Sequence, residues 1–223
     1  KKDYKSSINF YIKAIELNPN YLNAYINLFS VYNKIDNFAE SEKVVRKALK
    51  FYPKSDEINN ALGYSLLKQN KNEDAIIYFK ISIKLNSLNY KAFFNIGNAY
   101  FKINNFQKAI QYFEKTFKIN SKAPETTFYI AECNKELQNY NEALNYYKIA
   151  SKEKNSWLRK NKIIAKILEC YLILNKKNDY LQDISIYSKA DPDNRRIAAT
   201  SAFIAHQFNV KDLYPFCPNP LDF

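Results

Sequence analysis

Two glycines in 223 residues, one histidine, three cysteines and no methionine set the first limits on this chain. With glycines only at Gly63 and Gly97, no glycine-rich loop can cradle a phosphate. One histidine, His206, cannot build a multi-histidine metal site. Lying in the apolar stretch SAFIAHQF, it reads as a packed or surface side chain. Cys133, Cys170 and Cys217 are far apart, odd in number and form no CxxC pair. They read as thiols in a reducing, cytoplasmic compartment rather than as a disulfide framework or zinc site. No run of about 18 apolar residues crosses a membrane, and no signal peptide opens the chain. The missing methionine at position 1 reads as a piece of a longer protein. No Ser/His/Asp or Cys/His constellation is indicated, so neither catalysis nor a cofactor is expected of these residues.

What is present is apolar surface and positive charge. The chain is 47% apolar and 16% aromatic, enough for a sizeable core. Its net charge of +12 is uneven: residues 1–123 carry 20 Lys+Arg against 10 Asp+Glu, and residues 124–223 carry 14 against 12. An acidic partner for the first half is one reading. The other is compositional: abundant Lys, Asn, Ile, Tyr and Phe with little Gly, Ala and Arg is what an AT-rich genome encodes.

Gly97 lies 34 residues after Gly63, and each interrupts a pattern of helical spacing, where glycine costs about 1 kcal/mol against alanine. The same step of 34 links Pro19, Pro53, Ser87 and Ser121. It divides the chain into a half unit, 1–21, and units 22–55, 56–89, 90–123 and 124–157. The eighth position reads Phe29, Gly63, Gly97, Ala131; the twentieth reads Ser41, Ala75, Ala109, Ala143; the twenty-fourth reads Val45, Phe79, Phe113, Tyr147. Each unit predicts two helices joined by a short Asn-rich turn with a residue near the left-handed region. Small residues at positions eight and twenty predict close approach of the two backbones, with the aromatic of position twenty-four beside them. Pro or Ser ends the second helix.

These columns resemble the tetratricopeptide repeat family. The resemblance implies an all-α, right-handed superhelical array whose first helices line a concave groove for an extended peptide or partner helix. Departures are Phe29 at position eight, Asn59 and Thr127 at position four, and Asn134 at position eleven. After residue 157 the register slips, and 158–208 reads as a degenerate helix pair plus a capping helix over RRIAATSAFIAHQF. Residues 209–223 read as a Pro-rich linker. The tail ADPDN…YPFCPNPLDF, which starts at Ala190, is similar to the junction of bacterial proteins that join such repeats to a 2-oxoglutarate/iron(II) dioxygenase domain, which would make the array the substrate-recruiting arm of an enzyme whose catalytic domain lies beyond residue 223.

On the family's groove positions stand Asn27, Asn60, Tyr64, Lys68, Phe94, Asn95, Asn98 and Lys102. Asn27 and Asn95 share position six, where an amide can pair with the N–H and C=O of a bound main chain. The row is broken by Ala61 and Tyr129. Lys34, Lys68 and Lys102 share position thirteen and could attract an acidic ligand, though lysine late in a helix also complements its dipole. The expected partner is therefore a protein or peptide, acidic in one reading, rather than a membrane or nucleic acid. Self-association through end helices is a further expectation.

Overall fold

The computed structural model describes residues 3–123, 125–152 and 157–190. The predicted capping helix, the Pro-rich linker, His206 and Cys217 lie outside the described residues. Within them the chain forms eleven α-helices and no strand: α1 (Tyr4–Leu17), α2 (Leu22–Lys34), α3 (Phe38–Phe51), α4 (Asp56–Lys68), α5 (Asn72–Leu85), α6 (Tyr90–Lys102), α7 (Phe106–Ile119), α8 (Thr126–Glu136), α9 (Tyr140–Lys152), α10 (Trp157–Ile173) and α11 (Lys177–Ala190). The array divides into two compact units, Lys1–Ala123 and Pro124–Phe223, called here units 1 and 2. In unit 1 each helix packs on the next, and α4 also touches both α2 and α6. In unit 2, α8 packs on α9, α9 on α10 and α10 on α11.

Local chemistry sets these boundaries. Asn37, Ser55, Asn89 and Asn105 each accept a hydrogen bond from the backbone N–H three residues on, capping α3, α4, α6 and α7. Three-residue turns separate the helices of each pair. In each turn one residue has positive φ: Asp36, Asn70, Asn104, Gln138 and Asn175. These are mostly Asn or Asp, whose short polar side chains tolerate that region without glycine. Their spacing is 34 three times and then 37. The three extra residues fall where α10 runs for 17 residues, against 13 in α2, α4 and α6. The register slip is thus about one added turn of helix.

After the second helices the chain turns on asparagine. The side chains of Asn18, Asn86 and Asn120 each accept the N–H two residues later at 3.1 Å. At the corresponding position Tyr52 reaches back instead, its hydroxyl donating to the carbonyl of Asn20.

The glycines make room for the aromatic ring of position twenty-four. A Cβ on Gly63 would lie 2.6 Å from the ring of Phe79, and one on Gly97 would lie 2.6 Å from the ring of Phe113. Both rings are fully buried. Position eight is therefore matched in volume to position twenty-four. The match holds by volume in each unit: Gly63 with Phe79, Gly97 with Phe113, Ala131 with Tyr147, and, inverted, Phe29 with Val45. Phe29 and Val45 line a common cavity of about 30 Å³, so even the inverted pair leaves space for little more than one water. Burying each ring contributes about 1.5–3 kcal/mol, which exceeds glycine's helical cost of about 1 kcal/mol. At position twenty Ser41 departs from alanine, and its hydroxyl is satisfied by Ser65 at 2.9 Å and Asn33 at 3.0 Å.

The amides among the departures, Asn59 at position four and Asn134 at position eleven, are also satisfied. Asn59 is buried and donates to the Ser55 carbonyl at 2.8 Å and the Pro53 carbonyl at 3.2 Å. Asn134 is buried and donates to the Ile130 carbonyl at 2.9 Å. All three bonds run back along or just before their own helix, which is how a buried amide avoids an unmet desolvation cost.

Candidate functional site

The first helices α2, α4 and α6 are successive neighbours in unit 1. Helical periodicity sets positions two, five, six, nine, twelve and thirteen on or beside one face of each. Asn27 is exposed on α2, and Asn60 and Tyr64 are half-buried on α4. Phe94 and Asn98 are half-buried on α6. Asn95 is the exception, only 9% exposed. Its side-chain N–H donates to Asn60 Oδ1 at 3.0 Å. The amide row thus differs from the one the sequence predicts. Asn27 and Asn95, which share position six, have unlike environments, and the amides that meet are Asn60 and Asn95, from adjacent repeats.

The aromatic members are fixed by packing. Tyr64 meets Phe29 edge to face at 6.3 Å, and Phe94 lies 5.5 Å from the ring of Phe113. The position-thirteen lysines behave individually. Lys68 lies 5.3 Å over the Tyr64 ring and 6.0 Å from that of Phe38. Lys102 donates to the Leu67 carbonyl at 3.2 Å and to Asn70 Oδ1 at 3.1 Å. It therefore caps the end of α4 in the preceding repeat, and binds the turn residue whose φ is positive. Part of that charge is spent on holding repeats together.

In unit 2 positions nine and twelve are charged. Lys166 Nζ lies 3.8 Å from Glu132, and Lys135 Nζ lies 3.5 Å from Glu169. The Tyr147 hydroxyl also donates to Glu132. Burial, together with that hydrogen bond to the carboxylate, pushes the Tyr147 phenol well above its usual range.

The most connected charge of unit 1 is Glu42 on α3, which sequence reasoning passes over. It accepts from Arg46 at 2.8 Å, Lys71 at 3.0 Å and Gln69 at 2.8 Å. Burial raises its carboxyl pKa, but the hydrogen bonds from Lys71, Arg46 and Gln69 outweigh that and bring it down to about 2. The Arg46 contact is an i, i+4 pair legible in the sequence. The other two join α3 to the turn before α5, 27 and 29 residues away.

Cys133 and Cys170 are buried, and burial pushes their thiols up to about 12 and about 11. They are packed side chains with no thiolate character at neutral pH. Among the described residues no group of three or more His, Cys, Asp or Glu could hold a metal ion, and no helix is long and apolar enough to cross a membrane.

Comparison with known proteins agrees with this architecture. A family model described as tetratricopeptide repeat matches residues 90–122, and a second of the same description matches residues 1–21. Tetratricopeptide repeat protein 6 of Homo sapiens is 29% identical over 94 residues, 41% of this chain, and the match spans only 18% of the human protein. Among solved structures, PilW, a widely conserved type IV pilus biogenesis factor, is similar with a TM-score of 0.72 at 18% identity, covering 87% of this chain and 89% of PilW. YrrB, a TPR protein with an unusual peptide-binding site, gives a TM-score of 0.63 at 16% identity over 84% of this chain and 95% of its own. At these identities the likeness is one of fold.

Proposed function

Since the chain belongs to the tetratricopeptide repeat family, we propose that it is a protein-interaction module whose ligand is an extended peptide or partner helix held against α2, α4 and α6. The observation that carries this reading is the paired amides of Asn60 and Asn95, flanked on the same helices by half-buried Tyr64 and Asn98. One N–H of Asn95 is committed to Asn60. The donors of Asn60 and the carbonyl of Asn95 retain hydrogen-bonding capacity, which matches the alternating donors and acceptors of a peptide main chain. Rings beside them give apolar contact that tolerates many side chains. YrrB, similar in fold, is described as a TPR protein with an unusual peptide-binding site, which supports a peptide as the kind of ligand. The +10 balance of residues 1–123 favours an acidic ligand through faster encounter.

The test is to select short peptides on the whole chain from a random displayed library. Their affinity is then measured by fluorescence anisotropy for wild type and for Asn60→Ala/Asn98→Ala. Weakening of about tenfold or more is expected, a loss of about 1.4 kcal/mol. Equal affinity, with unchanged helicity by circular dichroism, would reject this face as the site.

A further inference from the structure

The second helices carry a feature that the groove does not use. On α5, Ile77, Ile81 and Leu85 follow one another at i, i+4 and i+8 and are 56%, 38% and 41% exposed. Leu88, in the turn beyond, is 71% exposed. Residues at this spacing share one helix face, here about 12 Å long from Ile77 to Leu85. The repeat supplies an internal control. Where α5 has Ile77, the preceding and following units have Lys43 and Gln111. Where it has Ile81, they have Lys47 and Lys115. Where unit 56–89 has Leu88, they have Lys54 and Lys122. The fold therefore accepts lysine or glutamine at three of these four places. Packing within a repeat does not require the apolar residues that α5 presents.

The surroundings say what would cover the stripe. Lys80 and Lys84 lie on α5 itself and are exposed, as are Lys47, Lys54, Lys115 and Lys122 of the flanking repeats. Arg46 on α3 reaches Tyr78, the residue after Ile77, at 3.4 Å, which brings one further cation to α5. At the amino end of α5 stand exposed Glu73 and Asp74. An apolar line flanked on its own helix by Lys80 and Lys84, with carboxylates at its amino end, complements an amphipathic helix that is acidic along most of its length. A second copy of this chain would set lysines against lysines. An anionic bilayer would have to accept Glu73 and Asp74 in its headgroup layer.

We infer that the outward face of α5, centred on Ile77, Ile81, Leu85 and Leu88, is a second docking surface, for an acidic amphipathic helix of a partner protein. It is independent of the peptide face on α2, α4 and α6. Both sites can be occupied at once, so the module joins two partners.

The probes are two designed, fluorescein-labelled helices with leucines at i, i+4 and i+8, one flanked by glutamates and the other by lysines. Binding to the whole chain is read by anisotropy at low and high salt. The glutamate helix is expected to bind about tenfold or more tighter than the lysine helix, and less tightly as salt rises. Ile77→Lys/Ile81→Lys, which installs the residues of α3, is expected to remove binding, while Asn60→Ala/Asn98→Ala leaves it unchanged. Lys80→Glu/Lys84→Glu, which leaves the stripe intact, is expected to reverse the preference between the helices. Equal binding of the two helices, or binding that survives the isoleucine substitutions, overturns the proposal. So does binding only to vesicles of equal parts phosphatidylserine and phosphatidylcholine, or a dimer in sedimentation equilibrium that the isoleucine substitutions dissociate.

Discussion

At positions nine and twelve of the repeat, unit 1 carries Tyr64 with Leu67 and Asn98 with Phe101, whereas unit 2 carries Glu132 with Lys135 and, one period on, Lys166 with Glu169. In unit 2 these charges answer one another from α8 to α10, and Glu132 is also held by Tyr147 from beneath. In unit 1 the same places hold rings and amides that are half-buried and neutral, apart from Leu67, which is buried. One repeat geometry thus yields two kinds of surface. Unit 2 pairs its charges at these places with one another, whereas unit 1 carries neutral side chains on the face proposed for a peptide. The difference extends inward. Unit 1 seats Phe113 on a glycine, while unit 2 seats Tyr147 on Ala131 and uses the added hydroxyl to anchor a carboxylate.

The largest effect tests that inner difference. Gly97→Ala gains about 1 kcal/mol of helix propensity but forces a methyl group against the Phe113 ring, at about 1–3 kcal/mol of overpacking. Because that ring is fully buried and the contact is 2.6 Å, the clash prevails. We expect a net loss of about 1–2 kcal/mol in urea unfolding, partly recovered by Phe113→Leu in the same chain. A stabilised Gly97→Ala would show that the ring can move aside, and unit 1 would then be no tighter than unit 2.

Next comes Tyr147→Phe, which removes the hydroxyl donor to Glu132. A loss of about 1.5 kcal/mol is expected, typical of a hydrogen bond to a charged group. If stability is unchanged, Lys166 suffices for Glu132, and the internal satisfaction of unit 2 does not depend on its tyrosine. A smaller effect concerns Glu42, the charged hub of unit 1, which lies on a second helix rather than on the face proposed for a peptide. Its folded carboxyl pKa lies at about 2, below the ordinary 4.5. The stability it contributes is therefore present above about pH 4.5 and is lost as pH falls toward 2. Glu42→Gln should cost about 1 kcal/mol at pH 7, allowing for solvent screening, and the two proteins should converge only as pH falls below about 2. A gap that persists in acid would assign the cost to lost packing instead. The smallest effect is that of Lys166→Gln, a few tenths of a kcal/mol for a half-exposed pair, read as a shift in the urea midpoint; a loss above about 1 kcal/mol would make the charge pairs of unit 2 structural rather than superficial.

Much of the architecture is legible in one dimension because it repeats. The 34-residue step, the Asn-rich turns and the capping Asn and Ser residues each depend on neighbours a few positions away. What the columns do not disclose is which of them touch. Positions eight, twenty and twenty-four all read as packing positions, and only the tilt of one helix on the other decides that Gly97 faces Phe113. The Asn60–Asn95 pair and the Lys102 cap cross between repeats at separations of 32 to 35 residues. A column reading compares such residues as equivalents rather than as partners. The charged hub of Glu42 escapes for the same reason, since its partners Gln69 and Lys71 belong to the next unit. The stripe on α5 is a departure from a column, and alone it is indistinguishable from ordinary apolar drift. Exposure gives it meaning.

The pairing of a hole with the ring that fills it has a consequence for how such a chain can be inherited. Gly97 and Phe113 lie within one 34-residue block, as do Gly63 with Phe79 and Phe29 with Val45. Copying or deleting a whole block carries both halves together and leaves every fit intact. A crossover inside the turn between paired helices would do otherwise, for instance setting Phe29 against Phe79 and crowding two rings into the space of one. Recombination is then tolerated at the joints between blocks and penalised within them, so the unit that packs is also the unit that can be duplicated.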